Sequence, residues 1–237
     1  MKDRQNLVVG GPTGIGRAVV DKLAPTDCQL NVVGRSGEFD AAAPNVTYHA
    51  CDLSGEGCRF DFLPDHLHGV VYCPGTIRLK PLARLTEADF LEDWQTNLMG
   101  AVRVLQACQN RLKKARGGAS VVLFSTVAVA AGMPFHASIA SAKGAVEGLM
   151  RSLAAEWAPR VRVNCIAPSL TDTPLAAGLL DGEAKRKAAA ERHPLKRIGS
   201  AAETADLAVF LLGDASAWIT GQVIGVDGGV STLRFTR

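Results

Sequence analysis

Short apolar runs rich in β-branched residues recur along the chain, and stretches with a helical period separate them. Seven runs are predicted strands, at residues 6–10, 29–34, 46–51, 69–73, 120–125, 161–167 and 222–226. Several are continuous hydrophobic runs, which is typical of parallel strands covered by helices on both faces. The apolar spacing predicts helices over 14–23, 86–114 and 138–157. Strand alternating with helix over residues 1–237 predicts one doubly wound α/β domain.

Two connections are unusual in this pattern. Residues 35–45 leave little room between the second and third strands, so we expect the crossover helix there to be a stub or missing. Residues 171–200 contain Ala-rich helix formers between Pro174 and Pro194, which is typical of a mobile lid.

Composition and charge exclude several classes of protein. Hydrophobic residues make up 47% of the chain and charged residues 21%, which excludes extended disorder. A net charge of +3 is too small to indicate a nucleic-acid partner. The apolar runs are too short for a membrane span or a signal peptide, so we expect a cytoplasmic protein without membrane contact.

The cysteines carry no metal-binding or disulfide signature. All six are scattered without a Cys-x-x-Cys pair, and we expect reduced thiols in the core: Cys28, Cys51, Cys58, Cys73, Cys108 and Cys165. The one alternative is a metal site of Cys51, Cys58, His66 and His68. Its spacing matches no structural zinc pattern, so we expect no metal.

A glycine-rich turn follows the first predicted strand and opens the first helix. Glycines at such a turn permit a close approach of the backbone and aim a helix N-terminus at a pyrophosphate, although a plain strand-to-helix turn uses the same residues. The spacing Gly10-x3-Gly14-x-Gly16, with Thr13 and Ile15 between, resembles the glycine motif of the short-chain dehydrogenase/reductase family.

Further motifs resemble this family in chain order. Asp52-Leu53 is similar to its adenine-contacting Asp segment, and Asn97 to the Asn of its catalytic helix. The remaining similar positions are Gly75 after the fourth strand, Pro168, Thr171 and Thr173 on the nicotinamide-side loop, and the C-terminal segment 219–229. The resemblance spans essentially the whole chain, and within the family it is strongest to the single-domain 3-oxoacyl-carrier-protein reductase type. It implies a Rossmann-type parallel sheet, a nicotinamide dinucleotide, a small-molecule substrate and a homotetramer.

The family's proton donor is absent. Its reaction uses a Tyr as proton donor, a Lys four residues later, and a Ser that polarises the carbonyl. Lys143 matches the Lys and Thr126 stands for the Ser, but Ile139 occupies the position of the Tyr. An alkyl side chain has no proton to give, and general acid catalysis is typically worth about 10²–10⁴ in rate. The segment Tyr72-Cys73-Pro74-Gly75 also departs from the family's Asn-Asn-Ala-Gly.

Lys143 and Ile139 lie on the inward stripe of their predicted helix. A lysine there costs solvation unless something binds it, so the resemblance makes it a ribose ligand; a lysine that reaches solvent from the core edge is the alternative. Ile139 is most simply a packing residue. His136, three residues earlier, is the candidate surrogate acid, with a loop histidine as the alternative.

Other hydroxyl groups are weaker donor candidates. Ser138 and Ser141 flank the right position, but they are poor acids and are better explained as helix-cap and packing residues. Tyr72, at the end of the fourth strand, is expected near the middle of the cofactor rather than at the reacting carbonyl.

Cations cluster on the predicted lid and at the end of the second strand. The lid carries Lys185, Arg186, Lys187, Arg192, Lys196 and Arg197, which form either a solvated face or a site for an acidic or acyl-carrier-linked substrate. The second strand ends in Gly34-Arg35-Ser36, which offers a guanidinium and a hydroxyl to a ribose 2′-phosphate where an Asp or Glu would favour NAD(H). We expect NADP(H) to be preferred over NAD(H).

These observations predict an NAD(P)(H)-dependent oxidoreductase of a carbonyl or alcohol substrate with an atypical active site. The alternatives are a dinucleotide-binding sensor or scaffold without turnover, and a different reaction in the same pocket, such as isomerisation or elimination with bound water and Thr126.

Overall fold

A seven-stranded parallel sheet forms the centre of the molecule. The computed structural model describes residues 3–35, 39–40, 43–53 and 58–234. The strands are β1 (Gln5–Val9), β2 (Gln29–Gly34), β3 (Val46–Ala50), β4 (Gly69–Tyr72), β5 (Ala119–Phe124), β6 (Val161–Pro168) and β9 (Val223–Val226). Their order is β3-β2-β1-β4-β5-β6-β9, and every neighbouring pair is parallel. The predicted Rossmann-type architecture is confirmed, with a switch point between β1 and β4 that opens a crevice at their carboxyl ends.

Helices cover both faces of this sheet. They are α1 (Gly14–Leu23), α2 (Glu87–Trp94), α3 (Gly100–Lys113), α4 (Val127–Ala131), α5 (Ala137–Trp157), α6 (Glu183–Glu191) and α7 (Ala201–Leu212). Thr86 caps α2 in a reciprocal capping box with Asp89. The long helix predicted over 86–114 is interrupted by a π-helical turn at Gln95–Met99, which joins α2 to α3.

Two hydrophobic clusters lie on opposite sides of the sheet. One contains the buried faces of α3 and α5, and the other those of α1 and α7. All six residues of β5 are buried, which explains its continuous apolar run. Among the residues that the structure describes, no helix is both long and apolar enough to cross a bilayer.

The connection from β2 to β3 is short, as predicted. Its described residues, 35, 39–40 and 43–45, contain no helix. The expectation of six reduced cysteines is wrong, because Cys51 and Cys58 form a disulfide. Their Cα atoms lie 5.6 Å apart, within disulfide range, and the sequence separation of 7 alone could not show this approach. Cys28, Cys73, Cys108 and Cys165 are free thiols.

The lid segment, residues 171–200, forms its own small structure. It contains strands β7 (Thr171–Asp172) and β8 (Gly199–Ser200), which pair in parallel, a 3₁₀ turn at Pro174–Leu179, and α6. Its buried apolar cluster is small and consists of Ala176, Leu180 and Ala189.

Candidate functional site

The glycine-rich turn stands at the carboxyl end of β1, where the crevice opens. Gly10 has a φ of +78°, which favours glycine, and a side chain at Gly16 would run into the carbonyl oxygen of Gly10. Thr13 is the exposed N-cap of α1 and makes no side-chain capping bond. The N-terminus of α1, which includes Ile15, thus faces the crevice as an anion site would.

Loops from two other strands close around this turn. Pro74, just after β4, has its Cδ 3.1 Å from the position that a Cβ on Gly10 would take. Thr173, on the loop after β6, has its Cβ 3.5 Å from the corresponding point on Gly14. The structure therefore brings together the glycine turn, the segment after β4, and the segment that starts at Pro168 and contains Thr171 and Thr173.

Lys143 projects from α5 into the carboxyl end of the sheet. Its side chain is buried, and its Nζ donates a hydrogen bond to the carbonyl oxygen of Phe124 at 2.8 Å. Burial lowers the pKa of the Lys143 ammonium to about 8, against smaller raising contributions from Cys165, Cys73 and Asp93. The lysine is thus anchored in the site and does not extend to solvent from the core edge.

Asn97 and Lys143 converge on Gly75. A Cβ on Gly75 would lie 3.2 Å from Asn97 Oδ1 and 3.4 Å from Lys143 Nζ. Asn97 is buried, and its Oδ1 has no hydrogen-bond partner among the described residues. An acceptor and an ammonium donor side by side, next to a glycine, fit a ligand with hydroxyl groups such as a ribose.

Thr126 and Ile139 occupy the positions next to this pair in the family's pattern. Thr126 is the N-cap of α4, and its Oγ1 accepts a hydrogen bond from the Ala128 amide at 3.3 Å, so its own proton is available to donate. Ile139 is 5% exposed and lies on the inward face of α5, one turn from Lys143. The positions that the family pattern assigns to the site therefore hold a hydroxyl, an ammonium and an amide oxygen, but no phenol at position 139.

His136, the candidate surrogate acid, and the weaker hydroxyl donors each have a hydrogen-bond partner within the chain. His136 is the N-cap of α5, and its Nδ1 lies 2.7 Å from the carbonyl oxygen of Pro134. Tyr72 is buried with its hydroxyl bonded to Thr96 O at 2.6 Å, and burial raises its pKa. Ser138 and Ser141 do not cap α5: Ser138 Oγ donates to Asp93 Oδ2 on α2, and Ser141 Oγ donates to the carbonyl oxygen of Ala137, one turn earlier in α5.

The outer side of the predicted cofactor site is more open. Arg35 and Asp52 are exposed, Leu53 packs partly on the core, and Ser36 lies outside the described residues. Sequence reasoning missed Arg17, whose guanidinium lies 5.3 Å above the ring of Phe39, beyond the end of β2. The signal was available, because Arg17 directly follows the glycine turn.

Sequence reasoning also missed a buried polar group beside Asn97. Asp93 is fully buried and accepts a hydrogen bond from Thr76 Oγ1 at 2.6 Å. Asp93 lies one turn before Asn97 on the inward stripe of its helix, so a charged residue at an apolar position was the signal.

The lid cations are partly neutralised. Three of the six form ion pairs, Arg186 with Asp172, Lys196 with Glu191 and Arg197 with Glu203. Lys185 donates to the Gly178 carbonyl at 3.3 Å, whereas Lys187 and Arg192 are exposed. All six are exposed, which fits a solvated face, and three of them already have an acidic partner.

The fold and the glycine turn define a dinucleotide-binding class of α/β protein, and comparison with known proteins narrows it. The family model described as "Enoyl-(Acyl carrier protein) reductase" matches residues 10–231. A tropinone reductase homolog of Arabidopsis thaliana is 35% identical, over 97% of this chain and 94% of its own. The chain therefore belongs to the short-chain dehydrogenase/reductase family, whose members are oxidoreductases of CH–OH and C=O groups.

Solved structures agree with this assignment. A short-chain type dehydrogenase/reductase from Mycobacterium ulcerans has a TM-score of 0.86 at 29% identity, with 99% of this chain and 92% of that chain covered. The Pseudomonas aeruginosa RhlG/NADP active-site complex has a TM-score of 0.90 at 26% identity, with 98% and 97% covered.

Proposed function

We propose that this protein is an NADP(H)-dependent oxidoreductase that interconverts a carbonyl and an alcohol on a small molecule. The observation that carries the proposal is the convergence of Lys143 Nζ and the unpartnered Asn97 Oδ1 on Gly75. This pair stands at the carboxyl ends of the strands, where ligands bind in doubly wound sheets. The cofactor of the similar RhlG complex supports the choice of dinucleotide.

Each segment of the crevice has a role in this proposal. The turn Gly10–Gly16 and the N-terminus of α1 would hold the pyrophosphate, and Lys143 with Asn97 the ribose hydroxyls. Asp52 and Leu53 would contact the adenine, and Pro168, Thr171 and Thr173 would line the nicotinamide side. A bound nicotinamide dinucleotide supplies or accepts the hydride, so the chain itself must orient the substrate and handle one proton.

The substrate oxygen needs a hydrogen-bond donor that polarises the carbonyl and an acid that supplies the proton. Thr126 can donate its hydroxyl proton to a carbonyl, because its Oγ1 already accepts from Ala128. For the proton that completes the alcohol, His136 is the surrogate acid that we propose, and Lys143 is the second candidate since its pKa near 8 leaves it protonated at neutral pH.

A non-catalytic sensor or scaffold is the rival function, and one observation favours it. Ile139 fills the proton donor's position with a buried alkyl chain. Both functions require dinucleotide binding, so turnover separates them: carbonyl-dependent oxidation of NADPH favours the enzyme. Tight binding without oxidation of NADPH across aldehydes, ketones and acyl-thioester β-ketones favours the sensor.

Substitution of Lys143 tests the site itself. Loss of a charged hydrogen bond is worth about 1.5–3 kcal/mol, so we expect Lys143→Met to raise the NADPH dissociation constant by about tenfold or more. Lys114→Met is the matched control, because Lys114 is exposed at the other end of the sheet, before β5. Unchanged NADPH affinity in Lys143→Met would remove the basis of the proposal.

The same titrations test the dinucleotide preference. We infer NADP(H) over NAD(H) from Arg35, with Arg17 as a second cation near the end of β2. Arg35→Ala is expected to weaken NADPH binding and leave NADH binding unchanged, because only the 2′-phosphate needs the guanidinium. Equal or tighter NADH binding by the wild-type chain contradicts the preference.

Substrate class and assembly extend the proposal. We infer an acidic or acyl-carrier-linked substrate from the lid cations, with Lys187 and Arg192 as the exposed candidates. We also propose a homotetramer. Two apolar surfaces support it, Leu91 with Trp94 on α2, and Phe210 on α7 with Trp218 nearby, all of them exposed.

A further inference from the structure

A buried carboxylate lies behind the site. Asp93 is 0% exposed and receives two hydroxyl protons, from Thr76 Oγ1 at 2.6 Å and from Ser138 Oγ at 2.5 Å. These partners are sequence neighbours of site residues, since Thr76 follows Gly75 and Ser138 precedes Ile139. One side chain thus ties the segment after β4 and the first turn of α5 to α2.

The hydrogen-bond directions continue from Asp93 to Asn97. Because Thr76 gives its only hydroxyl proton to the carboxylate, its oxygen is free to accept, and it accepts from Asn97 Nδ2 at 2.9 Å. The second Asn97 N–H donates to the carbonyl oxygen of Asp93 at 2.7 Å. Both amide hydrogens are therefore used, and Oδ1 must point away from Asp93, toward Gly75 and Lys143.

We propose that Asp93 is a positioning residue of the active site, a buried carboxylate that orients the Asn97 amide oxygen toward Gly75 and Lys143 through Thr76. The inference rests on the proposed function only in that Lys143 and Asn97 bind the dinucleotide. The orientation of the Asn97 amide and the effect of the Asp93 charge on Lys143 are both properties of the chain without any ligand.

The charges around this pair are few. Lys143 is faced by the thiols of Cys73, after β4, and Cys165, in β6, and by Asp93. Burial raises the pKa of both thiols to about 12, so they are neutral near pH 8. Of these three neighbours Asp93 is then the anion, and removing its charge is expected to lower the pKa of Lys143. Glu147, one turn after Lys143 on α5, is also a buried carboxylate, and it pairs with Arg151 at 3.0 Å and accepts from Ser125 Oγ at 2.7 Å.

Asp93 also has a cation on its far side. Arg78 Nε lies 3.7 Å from Asp93 Oδ1, and the same guanidinium contacts Asp89 and Glu92. Lys80 pairs with Asp89 at 3.0 Å. Arg78 therefore pairs with three carboxylates, and its positive charge is only partly available to balance that of Asp93.

The test measures Lys143 without any dinucleotide. The ¹³Cε resonance of Lys143, assigned with Lys143→Met, is followed against pH in the full-length protein. Asp93→Asn keeps the shape and an oxygen that can accept from Thr76, so we expect the midpoint to move below that of wild type by about 0.5 pH unit or more. Glu92→Gln is the matched control, since it removes one negative charge from the same helix at an exposed position, and its midpoint is expected to stay within about 0.1 unit.

A second pair of variants tests the orientation. In wild type, both Asn97 side-chain N–H groups are bonded, so their exchange with water is slow. Thr76→Val removes one acceptor and is expected to speed that exchange about tenfold, whereas Thr76→Ser restores the slow rate. If the Lys143 midpoint in Asp93→Asn equals that of wild type, the proposal is overturned. If Asp93→Asn does not fold, the exchange rate in Thr76→Val decides, and slow exchange of the Asn97 side-chain N–H groups there overturns the proposal. Failure to bind NADPH would instead count against the proposed function alone.

Discussion

One helical turn separates Ile139 from Lys143 on the inward face of α5, and the family resemblance assigns these two positions to the proton donor and the lysine. Lys143 keeps its bond to Phe124 O and its place beside Asn97, so its side of the site is intact. Ile139 is buried and carries no polar atom. A tyrosine at 139 would project beside the ammonium, whose charge favours the phenolate and lowers the phenol's pKa.

We therefore expect Ile139→Tyr to create or raise carbonyl reductase activity. The gain is bounded by the ~10²–10⁴ that general acid catalysis contributes, and it is smaller if the pocket has closed around isoleucine. Ile139→Phe is the matched control, because it adds the same ring without the hydroxyl. Steady-state oxidation of NADPH on the substrates of the wild-type protein measures both variants.

Two outcomes of this comparison bear on mechanism. If a folded Ile139→Tyr variant binds NADPH but oxidises it no faster than Ile139→Phe does, the pocket no longer supports carbonyl reduction. Wild-type activity that vanishes in His136→Ala would identify the imidazole as the donor.

For single residues, the sequence predicted which polar side chains are buried better than it predicted their hydrogen-bond partners. A lysine on an apolar stripe requires a buried partner, so a hydrogen bond such as that of Lys143 to Phe124 O followed from its position. The partners of Asn97 did not, because Thr76 and Asp93 reach it only after the segment following β4 folds onto α2. The disulfide between Cys51 and Cys58 depends in the same way on an approach of two chain positions that spacing does not show.

Among the elements, the long helix predicted over 86–114 contains a π-helical turn that the local apolar pattern does not predict. Its ends follow from the capping box at Thr86 and the basic residues near Lys113. Its π-helical turn does not, because Thr96 O finds its partner in the Tyr72 hydroxyl on β4. A side chain at Gly100 would clash with that hydroxyl, so a contact between a strand and a helix sets the local geometry.

The lid segment, residues 171–200, is predicted to become ordered when dinucleotide binds. It has a small apolar cluster of its own, its two strands are two residues long, and its cations include three consecutive trypsin sites, Lys185, Arg186 and Lys187. Segments with so little buried surface open at low free-energy cost. Because Thr173 contacts the glycine turn, saturating NADP⁺ should slow trypsin cleavage within 176–192 by about fivefold or more.

Cleavage elsewhere in the molecule supplies the control for the lid. Lys114 and Arg116 are exposed at the edge of the sheet opposite the crevice, and their cleavage rate should not depend on NADP⁺. Equal rates within the lid with and without saturating NADP⁺ would exclude a gating role.

For the whole molecule, the parallel sheet and the single α/β domain followed from the apolar runs and the helices between them, because a parallel sheet needs strands that are buried on both faces. The exposed apolar surfaces could not be predicted from the sequence, because the solvent exposure of a residue depends on which face of its helix points away from the sheet. Leu91 and Trp94 lie on α2, which packs with α5, whereas Phe210 lies on α7, on the other side of the sheet. Two separate apolar surfaces allow two kinds of two-fold contact, which together generate a closed tetramer.

Trp218 is the residue through which this assembly can be tested. Trp218 is fully exposed in a single chain, so its loss should leave the fold unchanged. Burying an indole in a contact is worth about 2–3 kcal/mol per side, so Trp218→Ser should convert tetramers into dimers at micromolar concentration. Light scattering after gel filtration measures the mass, and thermal unfolding of the variant checks the fold. A wild-type monomer, or a folded Trp218→Ser variant that keeps the full tetramer mass, would show that this surface does not join the chains.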